Sequence, residues 1–127
     1  MEQNVIITQA ARKKLVQARA GEINLPKIVG MAFGSGGADS DGNVMPPAEA
    51  QTGLNHELMR KEISGYKFIS ETTCRYECTL SEPELAGEYI SEIGLYDSDG
   101  DIICIKTFTP KGKDSDIEMT YALEDIF

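Results

Sequence analysis

The sequence contains no tryptophan, a single histidine (His56) and three cysteines. Each shortage excludes something. Without Trp, and with only five Tyr, there is no obvious aromatic platform on which a sugar ring would stack. One histidine leaves a tetrahedral zinc site short of ligands. Cys74 and Cys78 fall on an expected strand, where their spacing merely puts both on one face. With Cys104 they are an odd set, read as reduced thiols packed as small hydrophobes. Positive charge is scarce as well: 12 Lys and Arg stand against 21 Asp and Glu, a net charge of −9. Nucleic acid, whose phosphates need a basic face, is therefore not an expected partner. Much of the available basic charge (Arg12, Lys13, Lys14, Arg19) is gathered on one expected helix, where a solvated face accounts for it. The N-terminus has an acid at Glu2 and a short apolar run, Val5 to Ile7. Neither a signal peptide nor a membrane span is expected there, which implies synthesis in a cytoplasm.

At 127 residues the chain is long enough for one domain with one core. Thr8 is a natural N-cap for a helix reaching about Ala20 and stopped by Gly21, with Ala11, Leu15 and Ala18 on its apolar face. A strand follows Pro26, carried by Ile28, Val29, Met31 and Phe33. Residues 34–53 are rich in glycine, contain Pro46 and Pro47, and show no periodicity. They read as a flexible excursion suited to partner contacts. Residues 54–63 read as a short helix, which Leu54, Leu58 and Met59 fit, or as an extended lead-in to a strand. Beyond Gly65 the pattern is β: Cys74, Tyr76, Cys78 and Leu80 alternate with Thr73, Arg75, Glu77 and Thr79. A loop spans Ser81–Glu88, two strands flank residue 100, and a last strand spans about Ile117–Leu123. The expected fold class is α+β, an N-terminal helix packed on a mainly antiparallel sheet or on a two-layer β-sandwich.

The acidic stretch "EIGLYDSDGDIICI", Glu92–Ile105, invites a calcium reading. An EF-hand loop counted from Asp97 finds acids at Asp99 and Asp101, but Ile102 stands where the glycine must bend the chain, and Phe108 where a glutamate must close the site. A loop counted from Asp39 fails the same way at Val44 and Ala50. A hairpin explains more. Asp99-Gly100 suits a two-residue type I′ turn, pairing Asp97 with Ile102, Tyr96 with Ile103 and Leu95 with Cys104. Ile93 and Leu95 then share a face with Cys104, while Tyr96 shares the other with Ile103 and Ile105. A hairpin apolar on both faces needs cover on both, and one helix supplies one. The second face is expected to meet another strand layer or a neighbouring subunit. Ile93, Gly94, Leu95, Tyr96, Asp99, Gly100, Ile103 and Ile105 are accordingly the interface candidates, with homo-oligomerisation expected.

Catalysis finds little support. His56 stands alone as a base, the glycines of "GMAFGSGG" lack a phosphate-loop context, and acids such as Glu82 and Glu84 are ordinary among so many. No catalytic residue, metal or cofactor is assigned. The competing possibility is a small module binding carbohydrate or calcium through residues 34–53.

Three stretches taken in order resemble the N-terminal module of phage tail-collar fibre proteins. These are "ITQAARKKLVQARAGEINLPKIVGMAFGSGG", "PPAEAQTGLNHELMRKEI" and "GEYISEIGLYDSDGDIICI". The last is the most specific, through Ile90, Glu92, Ile93, Gly94, Leu95, Tyr96, Asp97, Asp99 and Gly100. The resemblance implies a non-catalytic structural protein of a phage or prophage tail, a trimeric or baseplate-bound adaptor of the virion. Its partners would be other tail, baseplate or fibre subunits. Family members commonly continue into a fibre shaft and receptor-binding tip, whereas this sequence ends at Phe127. That leaves the shaft to another chain, or the module freestanding in the baseplate.

Overall fold

The computed structural model of the protein describes residues 4–127; Glu2, which weighed against a leader, lies outside them. In chain order the elements are β1 (Val5–Ile7), α1 (Gln9–Arg19), β2 (Ile28–Gly34), β3 (Glu57–Glu62), β4 (Gly65–Ser70), β5 (Thr73–Leu80), β6 (Tyr89–Asp97), β7 (Ile102–Gly112) and β8 (Met119–Ile126). They form a five-stranded sheet ordered β1-β7-β6-β2-β3 and a three-stranded sheet ordered β4-β5-β8. Every pairing is antiparallel.

The expected α+β class is thereby corrected to a mainly β fold. The layer facing the large sheet is a second sheet, not the helix. Phe33 of β2 meets Tyr121 of β8 edge-on, ring centroids 5.2 Å apart, and this contact bridges the layers. Around it lie Met31, Cys78, Leu80, Ile90, Ile93, Leu95, Cys104 and Leu123, all buried. The ambiguous segment 54–63 is the strand β3, with Met59 opposite Phe33 and packed on this core.

The helix forms where its cap predicts. Thr8 Oγ1 accepts from the Ala11 N–H at 3.2 Å and donates to the Ile102 carbonyl at 2.9 Å. One buried hydroxyl thus starts α1 and pins it to β7. Gly21, at φ +81°, takes the left-handed conformation just beyond the helix.

The hairpin β6–β7 exists, but its turn differs from expectation. Asp97 N–H bonds the Asp101 carbonyl at 3.0 Å and Gly100 N–H bonds the Asp97 carbonyl at 2.8 Å. Of the turn residues only Gly100, at φ +88°, has positive φ. A type I′ turn needs that conformation at both central positions, so this is a three-residue loop, Ser98-Asp99-Gly100, with glycine in the left-handed place. The register follows: Leu95 pairs with Cys104 as expected, but Tyr96 pairs with Ile102. Ile103 becomes the extra residue of a bulge. It packs toward the core between the sheets, while Ile102 and Ile105 pack with Ala32, Ile6, Leu54 and Tyr96 on the opposite face.

Candidate functional site

Both faces of the hairpin are covered within one chain. Ile93, Leu95 and Ile105 are 2 % exposed or less. The inner face is closed by the small sheet. Over the outer face returns the chain between β2 and β3. Thr107 Oγ1 donates to the Met45 carbonyl at 2.8 Å, the Gln9 N–H bonds the Glu49 carbonyl at 2.7 Å, and Leu54 joins the Ala32–Ile102–Ile105 cluster. The packing argument for a neighbouring subunit at this hairpin therefore falls away. Gly94 sits in a tight place, since an added Cβ would stand 3.1 Å from the Cys104 carbonyl oxygen and 3.2 Å from the Leu54 side chain, so those neighbours would have to give. Tyr96 lies over Gly30, where an added Cβ would meet the ring and push it aside, and under the Arg60 guanidinium at 4.9 Å from the ring centre.

The acids at the hairpin tip are held by a side chain of the helix. Lys14 Nζ lies 2.6 Å from Asp97, 3.2 Å from Asp99 and 2.7 Å from Asp101. These three carboxylates are close enough together to hold a metal ion, but the ammonium stands where such a cation would. Burial works against the charged lysine. The hydrogen bonds with Asp101, Asp97 and Asp99 outweigh it and push the pKa upward. The remaining oxygen of Asp97 accepts the Asp99 and Asp101 N–H groups and shapes the turn. The cluster clamps α1 onto β6–β7. The acids at Asp39 likewise build a turn: one Asp39 carboxylate oxygen accepts from the Asp41 and Asn43 amides.

A second acid, a position of the resemblance motif to which the sequence assigned no structural role, organises more of the chain. Glu92 is completely buried and accepts three backbone N–H bonds, from Gly36 at 2.7 Å, Asn55 at 2.8 Å and His56 at 2.8 Å. It draws the two ends of the 34–56 connection together. The neighbouring Ser91 hydroxyl accepts the Gly37 N–H at 2.9 Å. The approach is so close that a Cβ on Gly37 would fall 1.9 Å from the Ser91 carbonyl oxygen, which explains the glycine at this position. An acid inside an otherwise apolar strand was the available signal. Lys113, also buried, mirrors it by donating to the carbonyls of Ser81, Glu82 and Asp114. Nothing in its charged surroundings marked it in the sequence.

The same latch brings Ser35 Oγ to 2.5 Å from His56 Nδ1, a pairing the sequence did not reveal. A nucleophile and base in a working site need a third group to orient the base. The nearby carboxylate is instead consumed by backbone amides, and neither residue lines any of the described clefts. Of the acid pair Glu82 and Glu84, the latter is held by Lys61 at 2.6 Å and by Ser81, which pulls its pKa to about 2. It stays ionised at neutral pH and has no proton to donate.

An open cleft lies elsewhere in the molecule. The two sheets part beside α1 and leave a cleft of about 430 Å³. Its walls include Ile7, Ala11 and Leu25 on one side and Tyr66, Phe68 and Phe127 on the other. Tyr66, Phe68 and Phe127 are more than half exposed. Tyr66 and Phe68 are nonetheless on the inner face of their sheet. Tyr66 pairs with Tyr76 and Tyr76 with Leu123, whose side chain is in the core. The core's lining thus continues past the end of the large sheet and is left uncovered.

A family model described as "Phage tail-collar fibre protein, N-terminal" matches residues 1–122. The chain belongs to that family. Among curated proteins, the tail-collar chain is 34% identical over 104 residues to the "Probable tail fiber protein" of Escherichia phage P2. That alignment covers 79% of this chain and 14% of the phage P2 protein. No solved structure matches it. In this tail-collar chain the family's hairpin stretch carries three distinct functions of folding: Glu92 latches a loop, Ile93 and Leu95 fill the core, and Asp97 with Asp99 receives the helix.

Proposed function

We propose that this chain is a non-catalytic structural module that attaches a tail fibre to the baseplate of a phage or prophage tail. The observation that carries this is the family match to an N-terminal module over residues 1–122. The relative in phage P2 adds support, since similarity to it is confined to a small fraction of that protein's length. A module of this size would fasten a longer body to something else. The fold suits the task. Its charged side chains are used to pin a helix and two loops to a β framework, which gives a stiff mount and leaves an apolar cleft open.

The test is direct. Purified chain is presented to each baseplate and fibre subunit of the same tail, and binding is followed by biolayer interferometry. Saturable binding to a baseplate subunit is expected, along with loss of fibres from particles when the module is deleted. Particles that carry fibres normally without it would overturn the proposal.

A further inference from the structure

Asp125 breaks a pattern. Tyr121 and Leu123 point from β8 into the core, and by alternation residue 125 points the same way, where an apolar side chain is called for. Asp125 pairs with Cys74, and Cys74 with Phe68, so the three form one row across the inner face of the small sheet. That row faces the cleft, which all three line. The carboxylate is partly buried, and among the described residues no hydrogen bond or ion pair reaches it. Two lysines line the same cleft. Lys14 is held by the hairpin acids, and Lys27 does not relieve Asp125, whose pKa is raised by desolvation alone.

A carboxylate without a partner, set among the rings of Tyr66, Phe68, Tyr76 and Phe127, is complementary to a cation on an apolar stem. The acid attracts the charge, the ring faces attract it as well, and the walls bury the methylenes. Arginine or lysine within an apolar segment has that chemistry. A second copy of this chain fits less well, because two bodies each carrying −9 repel one another.

We propose that the cleft between the two sheets receives an apolar segment of a partner tail protein bearing a lysine or arginine, whose head group pairs with Asp125. This rests on the docking function above and names the chemistry of the surface that performs it. Opening such a pair strands one charge in a desolvated place, so its loss is expected to weaken binding by about tenfold or more.

The experiment uses the full chain and the baseplate subunits of the same tail, with the variants Asp125→Asn and Phe68→Ser. Phe68 is largely exposed, so both variants are expected to fold, as far-UV circular dichroism and a melting curve would show. The expected result is that each weakens binding to the subunit bound by the parent chain. Undiminished binding by both variants leaves the docking function standing and removes the cleft from it. If the parent binds no subunit, the docking function fails, and the cleft is judged by selecting short random peptides on the chain. Peptides with Lys or Arg among Leu, Ile or Phe that lose affinity for Asp125→Asn sustain the proposal. Peptides without a basic residue, or equal binding to the variant, overturn it. Self-association in sedimentation equilibrium that Phe68→Ser abolishes would assign the cleft to a second copy, which also overturns it.

Discussion

The β6–β7 hairpin and the β4 strand carry similar apolar residues and meet opposite fates. Leu95 is 0 % exposed and Phe68 is 70 % exposed. The hairpin is central in its sheet, lined by strands on both sides and roofed by the 34–56 connection. β4 is an edge strand whose inner face runs past the large sheet. The difference teaches that greasiness along a strand does not identify a docking surface. What matters is whether the same chain has already covered it. Truncating one residue of each kind separates the two. Leu95→Ala is expected to destabilise by about 3 kcal/mol, through lost burial and the cavity left behind. Phe68→Ala should change stability by about 0.5 kcal/mol or less. Urea unfolding of both variants decides it, and equal losses would show that the edge strand belongs to the core no less than the hairpin does.

The roof over the hairpin depends on Glu92. Removing its carboxylate leaves three backbone N–H groups without their acceptor, and charge-assisted bonds of this kind are worth roughly 1.5–3 kcal/mol each before relaxation. Glu92→Ala is expected to cost about 2–3 kcal/mol, slightly less than Leu95→Ala, because water can reach part of the opened loop. Hydrogen exchange locates the effect: the amides of Gly36, Asn55 and His56 should lose protection while those of β5 and β8 keep it. Uniform loss across both sheets would mean that Glu92 supports the fold at large and not the loop.

Much of the framework was legible because strands and caps write themselves locally. Alternation at Cys74–Leu80 and a threonine ahead of Ala11 each state their structure within a few residues. The segment Leu54–Ile63 was ambiguous because Leu54, Leu58 and Met59 fit one face of a helix while the stretch also serves as an extended lead-in to a strand. Only its pairing with β2 decided between them. The turn at residue 100 was misplaced by one residue, since Asp-Gly serves both the two-residue and the three-residue loop. That single residue moved Ile103 to the other face. The roof and the cleft were out of reach for a different reason. Residues 34–56 have no period to read, and their position comes from bonds to Glu92 and Thr107, far away in sequence. Asp125 did leave a trace, as the one acid in the inward series Tyr121, Leu123, Asp125.

The clamp at the hairpin tip gives a smaller effect with a pH signature. Lys14→Met removes the cation shared by Asp97, Asp99 and Asp101, at a cost of about 1–2 kcal/mol, since two of the three acids are solvated. The folded pKa of Lys14 lies above its unfolded value. Its contribution is therefore fully present below the ordinary lysine value of about 10.4 and is lost as pH rises through the folded value. The parent and Lys14→Met should differ by a constant amount from neutral pH to mildly alkaline pH, and converge only beyond it. Thermal melts across that range check this. A difference that vanishes near neutrality would assign the clamp to some other group. Added calcium should leave the parent's melting temperature unchanged, because Lys14 holds the position a cation would take.

A further small effect has the opposite sign and bears most on function. Desolvation raises the pKa of Asp125 above the ordinary carboxylate value. The group's contribution is thus intact below about 3.8 and declines as pH rises through the raised value, because at neutral pH the fold must hold an ionised carboxylate in an apolar setting. Asn at this position keeps the shape without the charge. Asp125→Asn should match the parent at the acid end and exceed it at neutral pH by roughly 0.5–1 kcal/mol, discounted because the site is only partly buried. Such a stability gain, together with the weakened binding expected of the same variant, would mark a group kept for its partner and not for the fold. If the variant is less stable than the parent at neutral pH, Asp125 is holding the small sheet together, and the uncovered end of the cleft is then an ordinary piece of architecture.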